Sequence, residues 1–180
     1  MSHDGALLRV IKAERFTLEP LVAAHADAMF VVLGDPAIYE YESEPPQSLK
    51  GLRERYAGLE SRRSPNGREQ WFNWVIRLPS SQLAGYVQAT VYPDGRAAIA
   101  YEMASAYWGR GLGHQAVTAM IGELVAQHGV RSLSAVLKRQ NHRSMRLLQR
   151  LGFALASPQR HAEREVERDE ALMERAVDGA

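Results

Sequence analysis

Two stretches of this sequence combine residue types and spacings that carry chemical meaning. The first is Gly109-Arg110-Gly111-Leu112-Gly113, which follows Tyr107-Trp108 and opens a helical pattern at His114. Glycines at such a place let the backbone approach an anion closely. The free N–H groups of a helix start, with the helix dipole behind them, favour phosphate. Arg110 adds positive charge inside the loop. The run is not a P-loop, because no Lys-Ser/Thr follows Gly113. Nor is it the dinucleotide fingerprint. That needs G-x-G-x-x-G and a following strand that ends in an acid, whereas the next strand here runs into Lys138-Arg139. The second stretch runs from Asn141 to Phe153. Asn141 suits a helix N-cap and Ser144 lies one turn on, so both polar tips project near the same helix start.

The elements that must position these residues follow from periodicity and punctuation. Phe16-Thr17-Leu18 reads as a strand that ends at Pro20. Residues 21–33 have helical spacing and stop at Gly34-Asp35-Pro36, and residues 47–61 form a second, mostly polar helix. Three strands follow in meander order, Trp71–Leu78, Leu83–Tyr92 and Ala97–Ala104, with a Pro93-Asp94-Gly95 turn before the third. After the glycine run, residues 114–127 form a helix closed by Gly129, Leu133–Leu137 a strand, and Asn141 to Leu151 a helix closed by Gly152. Phe153–Ala156 and Glu170–Val177 read as final strands, and the charged run 163–170 as a solvated face or loop. The strand–loop–helix–strand over 97–137 implies a parallel crossover. The expected fold class is α+β: a mixed sheet with helices on both faces.

The chain's 180 residues, 46% hydrophobic and 24% charged, suit one soluble domain spanning 1–180. No window is apolar enough to span a membrane, and no signal-peptide pattern opens the sequence. With no cysteine, disulfides, thiol nucleophiles and thiolate metal sites are excluded, which fits a cytoplasmic setting. The six histidines form no supported metal spacing, so no metal is expected. The net charge of +1 hides a segregation. Residues 110–160 hold eight bases and one acid, Glu123, whereas residues 161–180 hold three bases and seven acids. A basic block between acidic flanks points to a polyanionic partner, either nucleic acid or a phosphorylated cofactor.

Taken together, the two stretches resemble the GCN5-related N-acetyltransferase (GNAT) superfamily. The run Tyr101-Glu102-Met103 to Gly113 resembles its acetyl-CoA loop (Q/R-x-x-G-x-G/A). Trp108 stands in the first position, as in the RimJ/RimL-type branch. Asn141-x-x-Ser144-x-x-Leu147-x-x-Leu151-Gly152-Phe153 resembles the second half of the signature, and Glu14 to Leu21 the branch's first strand. The resemblance covers about 14–177. It implies the GNAT fold, a sheet splayed between the strands at 97–104 and 133–137, with pantetheine in the cleft. Acetyl-CoA is then the co-substrate. Met103, Trp108, Gly109, Arg110, Gly111, Leu112, Gly113 and His114 would hold it at the loop, with the pyrophosphate on the N–H groups of Gly109 to His114. Asn141 would bond the pantetheine arm and Ser144 would sit near the sulfur.

The implied reaction is direct attack of a neutral primary amine on the thioester, in a ternary complex. It needs a base, an oxyanion donor and a proton for the leaving thiolate. Glu102 is the candidate base, a carboxylate among the apolar Ile99, Tyr101 and Met103. Ser144 is the candidate acid, with Tyr101 and Tyr107 as alternates. One rival is a non-catalytic module of the same fold that binds acyl-CoA or nucleic acid. Residues 110–150 contain no aromatic, which disfavours RNA. A dinucleotide-dependent oxidoreductase is disfavoured by the glycine spacing. The acceptor is either a protein N-terminus or a small-molecule amine. In proteins of this resemblance it approaches past the connection of the first two helices. Here that connection carries Asp35, Glu40, Glu42 and Glu44 with no base before Lys50, so a cationic acceptor is expected. The oligomeric state is open, a homodimer included.

Overall fold

The computed structural model describes residues 8–41 and 44–177. Among them, strands β1 (Ile11–Lys12), β2 (Thr17–Pro20), β3 (Gln70–Arg77), β4 (Leu83–Val91), β5 (Arg96–Met103), β6 (Ser132–Lys138), β7 (Ala154–Leu155) and β8 (Glu170–Ala176) form one sheet of order β1-β2-β3-β4-β5-β6-β8-β7. Only the β5–β6 pair is parallel. Its crossover is α3 (Leu112–His128), which buries Ala116, Val117, Met120 and Leu124 on one face of the sheet against Phe72, Trp74 and Ile76. On the opposite face lie α1 (Ala26–Val32) and α2 (Leu49–Leu59), whose Met29, Leu52 and Tyr56 pack with Val75 and Leu83. Helix α4 (His142–Arg150) joins α3 on its face through Leu148. The strand alternation therefore decides which helices each side chain meets.

The sheet splits between β5 and β6. β5 and β6 pair only over Arg96–Ala98 and Ser132–Ser134. Beyond that point β5 stays with β4 as far as Met103, and β6 stays with β8 as far as Lys138. Gly85 permits the first of these attachments: a Cβ there would collide with the backbone carbonyl of Glu102. The end of β5 is thus drawn tightly onto β4 and away from β6, leaving a V-shaped opening.

Several element boundaries differ from the sequence expectation. The helix expected over 21–33 is a 3-10 turn, Ala23–His25, followed by α1. Helix α3 starts at Leu112 rather than His114, because Gly111, in the left-handed region at φ 77°, is itself the N-cap. The two-residue β1 has too short a pattern to read. Helix α5 (Pro158–Glu163) falls at the edge of the run read as loop. Its signal is Ser157-Pro158, with the Ser157 hydroxyl accepting from the Arg160 N–H at 3.2 Å. The basic block also does not act as a unit. Lys138 pairs with Asp169 at 3.0 Å and Glu170 at 3.2 Å, and Arg160 pairs with Glu163 at 2.8 Å and Glu174 at 2.7 Å. The acidic flank thus neutralises part of the block beside it.

Candidate active site

The V between β5 and β6 is a cleft of roughly 860 Å³ that runs through the sheet. Its walls include Ile99 to Met103 of β5, Ala135 to Leu137 of β6, the loop from Tyr107 to Gly109, the first turn of α3 and the first turns of α4. Met103, Trp108, Gly109, Gly111, Leu112, Gly113, His114, Asn141 and Ser144 all lie on it, as does Glu102. Arg110 lies off the wall and is exposed; its carbonyl accepts from the Arg15 guanidinium at 3.1 Å.

The loop builds an anion seat from backbone. Gly109 and Gly111 have φ of 72° and 77°, a region costly for any residue with a Cβ. A Cβ at either would point into open space. No side chain caps α3, and its first internal hydrogen bond runs from Gln115 N–H to Gly111 C=O at 3.1 Å. The N–H groups of Leu112, Gly113 and His114 therefore sit at the cleft with the positive end of a 17-residue helix behind them. Trp108 anchors the loop. Its indole N–H donates to the Met103 carbonyl at 2.9 Å, and the Arg143 guanidinium lies 3.3 Å from its ring centroid. The cation–π contact ties the loop to α4. Arg143, Arg146 and Arg150 line the cleft, and among the described residues no carboxylate pairs with them.

The start of α4 brings the polar tips together. Asn141 Oδ1 accepts from the Ser144 N–H at 3.1 Å, which orients the side chain and leaves its NH2 as a donor for a ligand. The Ser144 hydroxyl meets the Tyr101 hydroxyl at 2.6 Å. Tyr101 shares the α3–α4 face of the sheet with Ile99 and Met103.

Glu102 lies on the other face. It pairs in register with Tyr86, and Tyr86 hydrogen-bonds its carboxylate. Burial first, then the negative charge of Glu102, pushes the Tyr86 phenol well above its usual value. Burial also pushes Tyr39 and Tyr56 up to about 12, with Glu102 adding to both. All three phenols therefore stay protonated near neutrality, and that of Tyr39 donates to the Leu33 carbonyl at 2.7 Å. Glu102 is the only carboxylate on the cleft wall among the described residues.

The acidic connection is only partly an open surface. Asp35 accepts from Ser105 N–H at 2.6 Å and from Ala37 N–H at 3.0 Å; the Ser105 side chain first, then these N–H groups, hold its carboxyl below the usual range. Glu42 lies outside the described residues, and Arg143 comes close enough to Tyr41 to act on its phenol. Arg55, Tyr86 and Gln88 were not singled out by type or spacing, yet they line the cleft, whereas Arg143, Arg146 and Arg150 belong to the basic block read from the sequence and line it too. One signal was present for Tyr86: counting outward from the Pro93-Asp94-Gly95 turn places it opposite Glu102.

The sequence profile described as "Acetyltransferase (GNAT) domain" matches residues 15–154. No curated protein matches the chain significantly. Among solved structures, the chain is similar to RimL, a ribosomal L7/L12 alpha-N-protein acetyltransferase in complex with coenzyme A. The two share 17% identity and a TM-score of 0.79, over 96% of this chain and 100% of that one. A ribosomal-protein-S5-alanine acetyltransferase from Vibrio fischeri shares 16% identity and a TM-score of 0.75, over 94% and 97% of the two chains. An acetyltransferase from Bordetella pertussis assigned to the same family by its description shares 23% identity and a TM-score of 0.69, over 93% and 99%.

Proposed function

The chain belongs to the GNAT acetyltransferase family, and from that premise we propose that it moves the acetyl group of acetyl-CoA to a primary amine by direct attack in a ternary complex. The observation that carries this reading is the V between β5 and β6. It has the uncapped start of α3 at one mouth, with the Tyr101–Ser144 pair and Glu102 on opposite faces of the sheet. The phosphates of coenzyme A would lie on the N–H groups of Leu112, Gly113 and His114, beside Arg143 and Arg146. Pantetheine would thread the gap where β5 and β6 part, with the Asn141 NH2 as a donor to its amides.

The amine nitrogen would attack the thioester carbon and form a C–N bond. Glu102 would take the amine's proton, and the C–S bond would break as the tetrahedral intermediate collapses. The departing thiolate would take a proton from the linked Ser144 and Tyr101 hydroxyls. Both hydroxyls sit at the N-terminal end of α4, where the helix dipole favours negative charge. The likeness to ribosomal-protein acetyltransferases makes a protein α-amine a natural acceptor to try first. The absence of cysteine suits a reducing, cytoplasmic setting. The test is acetyl-CoA titration followed by release of free coenzyme A thiol with a panel of amines. Binding followed by amine-dependent thiol release supports the reading, and failure to bind acetyl-CoA refutes it.

A further inference from the structure

Resting on that reading, we propose that the acceptor is an amine with a carboxylate a few bonds from its nitrogen, and that Arg55 selects it. On the α3–α4 face, the cleft offers backbone donors and arginines suited to a phosphorylated ligand. Its other mouth, on the α1–α2 face, is left for the acceptor. The wall there is built by Ile38, Arg55, Tyr86, Gln88 and Glu102. Among the described residues of that wall it presents two charges, Glu102 from the sheet and Arg55 from α2. Both act on the Tyr86 and Tyr56 phenols, and with opposite sign, so they share one neighbourhood.

The other bases of α2 are matched. Lys50 pairs with Glu54 at 3.9 Å and Arg53 with Asp27 at 2.9 Å. Arg55 is exposed at the cleft, and no carboxylate among the described residues pairs with it. Its planar fork can pair bidentately with a carboxylate. An acceptor that offers its amine to Glu102 and a carboxylate to Arg55 answers both charges. A purely cationic acceptor answers only one and meets the other as a like charge, which disfavours it. Within the acidic connection, both carboxylate oxygens of Asp35 are already engaged by backbone N–H groups, so that side chain is held in place at the turn.

The same chemistry has two sources: a free amino acid, or a peptide N-terminus with Asp or Glu among its first residues. The test measures kcat/KM with saturating acetyl-CoA for matched acceptors. One arm compares free amino acids with their amides. The other compares N-terminal peptides carrying Asp or Glu at the second position with the Asn or Gln versions. The expected parent preference for the carboxylate is about tenfold or more, as for a charge-assisted hydrogen bond. Arg55→Gln should bring that ratio close to one, mainly through KM. Arg55→Lys should keep much of it, and Arg55→Glu should turn preference toward cationic peptides. The arm with the larger ratio identifies the source. A parent that prefers neutral or cationic acceptors overturns the inference, as does an Arg55→Gln variant that loses both acceptors equally. Acetylation of none of the carboxylate-bearing amines by a protein that binds acetyl-CoA overturns it too. Failure to bind acetyl-CoA, read by thermal shift on the same sample, is instead failure of the acetyl-transfer reading.

Discussion

The hydroxyls of Tyr101 and Ser144 lie 2.6 Å apart and join the end of β5 to the start of α4 across the open part of the sheet. One partner comes from the strand that pulls away from β6, the other from the helix that follows β6. A proton donor placed there serves the side of the cleft on which the thioester sulfur would lie, away from Glu102. Removing either hydroxyl should therefore remove the function of both. Ser144→Ala and Tyr101→Phe should each lower kcat by about 10²-fold, in the range of general acid catalysis, and raise the KM for acetyl-CoA much less. The double variant should be little worse than the poorer single one. Steady-state thiol release at saturating acetyl-CoA checks this. Fully multiplicative losses would show that the two hydroxyls act separately.

Glu102→Gln keeps an acceptor for the Tyr86 hydroxyl but removes the proposed base. We expect kcat/KM to fall by about 10²-fold or more and the carboxylate-dependent rise of rate with pH to vanish. A pH profile equal to the parent's in shape and height would dismiss Glu102 from catalysis.

Gly85→Ala tests whether the close approach of β4 and β5 holds the cleft open. The added methyl meets the Glu102 carbonyl and Met103, both near backbone with little room to move. Stability should fall by about 1–3 kcal/mol, as for other overpacked sites. Acetyl-CoA affinity should fall with it, because the displaced residues form the cleft wall. Urea unfolding and calorimetric titration of the same sample separate the two effects; destabilisation with unchanged affinity would detach Gly85 from the cleft.

The parts of this site legible in the sequence are those that lie within one stretch of chain. The glycine run and Asn141-x-x-Ser144 each complete their local geometry within a turn, so type and spacing suffice. The remainder is assembled from distant elements. Tyr101 is legible only as an alternate to Ser144, because nothing near it in the chain shows that its hydroxyl meets that of Ser144, 43 residues on. Arg55 sits in a helix whose polar pattern reads as solvated, and only the fold turns it toward Glu102. The engagement of Asp35 was not legible for the same reason: the Ser105 N–H that meets it lies 70 residues away.

His25 provides a pH-dependent test of the fold beneath the site. Its Nδ1 accepts from the Val22 N–H at 3.1 Å, and Nε2 faces Glu19 at 3.3 Å, an arrangement that requires the neutral ring. Burial lowers its pKa in spite of Glu19, and burial lowers that of His128 as well. With the folded values below the unfolded one, the unfolded chain binds protons first. Stability is then complete above about pH 6.5 and declines as pH falls toward the folded values. Urea midpoints between pH 8 and 5 should drop on the acid side, and His25→Asn should flatten part of that slope. A midpoint that rises on acidification would contradict the neutral assignment.

Gly111→Ala should destabilise the fold by about 1–2 kcal/mol, because alanine must adopt φ 77° there. Acetyl-CoA affinity should fall as well, whereas Gly111→Asn should be milder, since asparagine enters that region more readily. Thermal melts with and without acetyl-CoA check both. An alanine variant that matches the parent in each would remove the loop from the binding site.

The central claim is that acetyl-CoA occupies the V with its phosphates on the start of α3. Amide hydrogen exchange with and without acetyl-CoA tests it most directly. The account predicts slowed exchange at Leu112, Gly113 and His114 and at the start of α4 around Ser144, with little change in β1, β2 or α5. Protection confined to other elements, or none at saturating acetyl-CoA, would contradict it.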